Sequence, residues 1–148
     1  MSRCLPTPKS SATSHPLNIC ARHALAVTSR SSRCDNGSAV AENVSILDSN
    51  SGLSIQQRGT GTIHNITFRD VHVETRYQAP RWWGNGEWLA ITNEPRNAGD
   101  TVGGLYDLTF ERISAVSENG GLLSSLAHGG VYGVSFRDVN VTIQASIG

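Results

Sequence analysis

The sequence predicts an all-β fold of the parallel β-helix class, about four coils long and incomplete at its N-terminal end. Three observations point there. The stretch Thr62–Val73 returns in altered form at Gly104–Val116 and Gly130–Val141, and in outline at Glu42–Leu47. Within each copy apolar residues stand two apart with Ser or Thr between them, the period of a strand with one buried face. Between the copies lies a second, shorter set of strand-like segments with no helical pattern separating the two.

Aligned on the aromatic position, Phe68, Phe110 and Phe136 form one column, with Ile46 in the earliest copy. Val44, Ile66, Leu108 and Val134 fill the position two before, and Val71, Ile113 and Val139 make a third column. The second set is Gly52–Ile55, Glu87–Thr92 and Gly121–Ser125, set off by the turn residues Asp48–Ser51 and Glu118–Gly120. Coils then start at Asn43, Asn65, Asp107 and Gly133, which lie 22, 42 and 26 residues apart. The long interval holds an insertion of roughly 18 residues if the other two set the repeat. Asn at a coil start suits a backbone turned into an otherwise disfavoured conformation.

In a parallel β-helix each layer lies about 4.8 Å from the last, equivalent side chains stack, and no layer buries its apolar face alone. Each Phe withdrawn from water then contributes roughly 1.5–3 kcal/mol. An antiparallel sandwich also accommodates many short strands with polar turns. Column-by-column matching favours the helix.

The chain of 148 residues divides into a leader, 1–42, and a repeat region, 43–148, with an aromatic insertion at 74–88. Nothing before Asn43 reads as a capping helix. The expectation is therefore the C-terminal part of a longer β-helix, whose open first coil offers an edge for self-association. From Met1 to Cys34 there is no Asp or Glu, while Arg3, Lys9, Arg22, Arg30 and Arg33 stand among many Ser and Thr. That composition fits a transit peptide or an unstructured leader, and Arg22 and His23 break its one candidate secretory core, Leu17–Val27.

Twelve basic residues balance 12 acidic ones, so charge gives no bias toward nucleic acid or membrane, and no apolar run is long enough to span a bilayer. No cofactor is expected: Gly59-Thr60-Gly61 lacks the rest of a phosphate loop. Cys4, Cys20 and Cys34 fit no zinc spacing, and His64, His72 and His128 lie apart in the repeat. Sequons begin at Asn36, Asn43, Asn65 and Asn140, and matter only in a secreted protein.

Chemistry concentrates in the insertion. Tyr77, Trp82, Trp83 and Trp88 fall close together, and the first three belong to no core column. Trp faces accept sugar rings, and Arg81, Arg96 and Arg76 suit bidentate contact with a uronate carboxylate. A loop folding its tryptophans back on the strands fits the same residues. Registering Leu53 on Leu89 and Ile55 on Ile91 sets Gln56 beside Thr92 and Arg58 beside Glu94, an ion pair across one strand spacing. Glu94, on the outward parity with Trp88 and Ala90, is the best carboxylate for a cleft on that sheet. Glu87 and Glu94 cannot work as an acid and base, because seven residues of strand span roughly 23 Å and inverting glycosidases hold their carboxyls about 6.5–9.5 Å apart.

From Asn43 onward the chain resembles the right-handed, pectin lyase-like β-helices, most nearly the family 28 glycoside hydrolases, the polygalacturonase group. The resemblance is carried by G-x-I-x-N-I-T-F-R-D-V at Gly61–Val71, R-W-W-G-N-G-E at Arg81–Glu87 and S-E-N-G at Ser117–Gly120, and covers about two thirds of the chain. It implies a secreted hydrolase of pectic or related polysaccharide, acting by inversion. The residues themselves, rather than the resemblance, place Trp82, Trp83, Arg81, Arg96, Arg58 and Glu87 toward substrate, with Glu94 the one catalytic candidate and no metal expected. The family's N-x-D, D-D and G-H-G motifs are absent, and Ser54-Ile55-Gln56 stands where it has R-I-K. Ala127-His128-Gly129-Gly130 leads into a strand rather than following one. No catalytic residue transfers by motif, so the resemblance also fits a non-catalytic acidic-glycan binder or a solenoid fragment without function.

Overall fold

The computed structural model describes residues 17–19, 25–29, 36–78, 84–125 and 130–144. These residues are all-β and all their strand pairings are parallel. The strands are β1 (Leu17–Ile19), β2 (Leu25–Ser29), β3 (Asn36–Ser49), β4 (Leu53–Gln57), β5 (Ile63–Thr75), β6 (Leu89–Asn93), β7 (Leu105–Ser117), β8 (Leu122–Ser125) and β9 (Val131–Ile143). The chain alternates between two sheets: β1-β3-β5-β7-β9 in one, β2-β4-β6-β8 in the other. The boundary drawn at Asn43 falls inside β3, and β1 and β2, within the stretch assigned to the leader, pair with β3 and β4.

The long strands bend without losing their ladder, and the sequence shows how. Asn43 and Asp48, Asn65 and Asp70, Asp107 and Arg112, and Gly133 and Asp138 all have positive φ, five residues apart in each strand. One residue in this conformation breaks simple alternation, so the buried positions of β5 run Ile63, Ile66, Phe68, Val71, Val73, Thr75, stepping by three across each bend and by two between bends. Asn, Asp and Gly accept positive φ most readily. At Gly133 a Cβ would meet Asp107 Oδ1 at 2.8 Å, so a side chain there needs the Asp107 carboxylate to shift.

The aromatic column forms as expected. Phe68 pairs with Phe110 and Phe110 with Phe136, their rings stacked at 5.4 and 5.1 Å. The earliest copy does not join it as aligned. Val44 pairs with Val71 and Ile46 with Val73, so Ala41, not Ile46, stands beside Phe68, and Asn43 stands beside Asp70. The interval there is 27 residues (Val44 to Val71), followed by 42 (Phe68 to Phe110) and 26 (Phe110 to Phe136). The cause is the five-residue sub-period: Asn43-Val44-Ser45-Ile46 matches Asn65-Ile66-Thr67-Phe68 and Asp70-Val71-His72-Val73 about equally well.

Both sheets contribute to one apolar core, with Phe68, Phe110, Ile63, Leu105 and Leu108 from the long strands and Leu53, Ile55 and Ile91 from the short. Buried polar columns close the connections. Ser49, Thr75 and Ser117 lie in register, and each hydroxyl donates to a carbonyl of the turn beyond, at Ser51 (2.7 Å), Gly86 (2.8 Å) and Asn119 (2.9 Å). At the other connection Gln57 and Asn93 are in register. Gln57 Nε2 donates to the Gly59 and Gly61 carbonyls, and Asn93 Nδ2 to those of Gly103 (3.2 Å) and Gly130 (2.7 Å). Turn carbonyls that face inward thereby keep partners, which burial would otherwise make costly.

Outside, charges alternate down the long sheet. Arg69 lies 3.8 Å from Glu42 and 3.3 Å from Glu111, and Arg112 holds Asp70 bidentately at 2.6 and 2.8 Å. The guanidinium keeps the Asp70 carboxyl below its ordinary range, so this contribution is complete above the unfolded-state value and is lost as pH falls through the folded one.

Replacing Phe110, fully buried between two rings, by Ala lowers unfolding free energy by about 3–5 kcal/mol in denaturant titration, whereas Phe136→Ala, at a ring 49% exposed, costs less than half as much. Equal losses would contradict the stacking order.

Candidate functional site

The insertion is clamped at both ends. Asn50, 2% exposed in the turn after β3, accepts from Gln78 N at its Oδ1 (2.8 Å), donates through Nδ2 to Gly84 O (2.7 Å), and accepts from Gly86 N at its own carbonyl (2.8 Å). Arg76 N donates to Ser49 O at 2.9 Å, and its guanidinium pairs with Asp48. From the other side Glu118 Oε2 accepts from Tyr77 N (2.7 Å), while Asn119 donates to Gly86 O (3.1 Å) and, through its side chain, to Asn85 O. Gly84 and Gly86 sit at φ 99° and 78°, and a Cβ on Gly84 would lie 2.5 Å from Asn50 O. The Gly-Asn-Gly of the loop is thus a backbone requirement of the clamp.

Glu87 belongs to this clamp. Its Oε1 accepts from Ser51 Oγ (2.7 Å) and its Oε2 from Asn85 N (2.5 Å), so both oxygens are engaged in holding the base of the loop. Trp88 turns inward, contrary to the outward parity assigned to it. It is 8% exposed, its ring meets Phe136 edge-on at 6.3 Å, and its carbonyl lies so close to Gly52 that no side chain fits there. The parity count fails because Trp88 precedes the first residue of β6 and sits in the connection, where alternation does not apply. Ala90 is buried as well. Tyr77 is exposed, whereas Arg81, Trp82 and Trp83, like His128 and the three cysteines, lie outside the described residues.

The second group of candidates lies at the far ends of the short strands. The expected register holds: Leu53 pairs with Leu89, Ile55 with Ile91 and Gln56 with Thr92. Glu94 N donates to Gln57 O at 3.1 Å, one place beyond the last registered pair, which sets Glu94 next to Arg58 along the sheet. Its carboxylate accepts from Ser124 Oγ of the following strand at 2.6 Å. Arg96 is exposed just beyond, in a turn held by Asn97 and Asp100 (2.8 Å). β6 runs unbroken between Glu87 and Glu94, so the structure brings Arg58, Glu94 and Arg96 to one end and leaves Glu87 at the other.

Asn50 is the residue that sequence reasoning passed over, because a buried Asn clamp and an ordinary turn Asn read alike. The available signal was the glycine pair of the loop, Gly84 and Gly86, which implies a close backbone partner. Among the described residues no group of three or more His, Cys, Asp or Glu is placed to hold a metal, and no helix is long and apolar enough to cross a membrane. Comparison of the chain with protein-family models, with curated proteins and with solved structures finds no match.

Asn50→Ala leaves the Gln78 N–H and Gly84 C=O without these partners and is expected to cost about 1–3 kcal/mol, with cleavage by added protease concentrated in 76–88. A loss under about 0.5 kcal/mol with unchanged cleavage would show that the clamp is not required.

Proposed function

We propose that the two sheets are faces of a right-handed parallel β-helix of the pectin lyase-like, polygalacturonase type, and that its substrate is a pectic or related polysaccharide bearing uronates. The observation that carries the reading is the clamped base of the loop: Asn50, Glu87 and Glu118 fix both ends of a segment whose sequence, Arg81-Trp82-Trp83, offers two flat rings and a guanidinium. In this proposal the tryptophans lie against sugar faces, and Arg81, Arg58 and Arg96 meet carboxylates. Glu94 is the carboxylate that would attend a glycosidic bond.

A second reading, glycan binding without hydrolysis, is favoured by the placement of Glu87 and Glu94. An inverting pair needs two carboxyls about 6.5–9.5 Å apart with room for water, and a full strand separates these two.

Titration with oligogalacturonides under Trp fluorescence tests both. The expected result is saturable quenching that weakens at least about tenfold, roughly 1.4 kcal/mol, in Trp82→Ala and Trp83→Ala. Release of reducing ends assigns the hydrolase, and binding without release assigns the binder. Neither binding nor release would sink the proposal.

A further inference from the structure

β9 ends the five-stranded sheet, and everything about it suggests a strand built to be covered. One side of its backbone has no neighbouring strand among the described residues. Phe136 and Ile143 are half exposed where the same columns are buried in β7. Neither Pro nor Lys, the usual guards of a free edge, occurs between Val131 and Ile143.

The charges specify the occupant. In register, Glu42, Arg69, Glu111 and Arg137 alternate in sign down one column, and Asp70, Arg112 and Asp138 alternate down the next. The partner of β9 must therefore present an acid beside Arg137 and a base beside Asp138. β9 itself offers both when it runs antiparallel about a two-fold axis between those residues. We propose that two copies of this chain join in that way through residues 134–141.

In this pairing Arg137 of each copy faces Asp138 of the other. Phe136 faces Val139 and Val134 faces Val141, all four on the apolar side, while Ser135 faces Asn140 on the polar side. The bends at Asp138 meet next to each other at the axis, and the bend at Gly133 falls opposite Thr142, outside the paired segment 134–141. A pairing one residue out of register would set Phe136 against a polar position. The interface is isologous and closes at two copies. It does not rest on the proposed glycan site, since none of Arg58, Arg81, Trp82, Trp83, Glu94 and Arg96 belongs to β9.

Sedimentation velocity of the purified chain over a wide concentration range tests it. A monomer–dimer equilibrium is expected. Arg137→Glu sets acid against acid at both ends of the axis, and Asp138→Arg sets base against base; each should weaken the dimer at least about tenfold. The left-handed position accepts Arg, since Arg112 occupies it one strand away. The combined variant R137E/D138R restores opposite charges and should recover the dimer. Circular dichroism of each variant monitors folding. A monomer at every concentration, an open-ended polymer, or a dimer indifferent to either single change would overturn the proposal.

Discussion

A strand that must turn corners while keeping its hydrogen-bond ladder is the constraint on which the rest of this structure depends. Alternation alone would carry Val71 to the solvent side of β5, since it lies three residues after Phe68. The left-handed residue at Asp70 uses up one position and returns the next apolar side chain to the core. The same device at Asn65, Asp107, Gly133 and the five-residue echo of each keeps the bends in line from strand to strand. Arg112 is the exception in residue type, and its bidentate grip on Asp70 in the adjacent strand is the local interaction available to offset its conformation.

With the bends fixed, the connections are free to vary. The hydroxyl column Ser49–Thr75–Ser117 and the carboxamide column Gln57–Asn93 bind turn carbonyls on the inside, so residues can be added outside them without disturbing register. The long interval uses this freedom twice. Extra length falls between Thr75 and Leu89, where Asn50 clamps it, and again between Asn93 and Leu105, where Arg96 is carried. A single insertion at 74–88 was expected. The split explains why the candidate residues form two groups at opposite ends of β6.

Much of this architecture was legible. Phe occurs once in each of β5, β7 and β9, so Phe68, Phe110 and Phe136 admit one alignment, and the Leu-x-Ile of β4 and β6 is equally unambiguous. The earliest copy was misread because it lacks an aromatic, leaving a five-residue motif that fits two places. Trp88 was misread because alternation was extended into a connection. The polar columns were invisible because Ser, Thr and Gln at strand ends are common, and only burial distinguishes these from exposed ones. Glu87 could not be known as a loop clamp until Ser51 and Asn85 were seen to bind both its oxygens.

The register of β3 against β5 is the most direct test, because two alignments of the five-residue motif compete for it and the structure selects one. Nuclear Overhauser contacts in a methyl- and aromatic-labelled sample measure it directly. The account predicts Val44 methyls close to Val71 and Ile46 close to Val73, with Phe68 touching Phe110 and the Ala41 methyl on its other side. Contacts from Val44 to Ile66 and from Ile46 to Phe68 would contradict it.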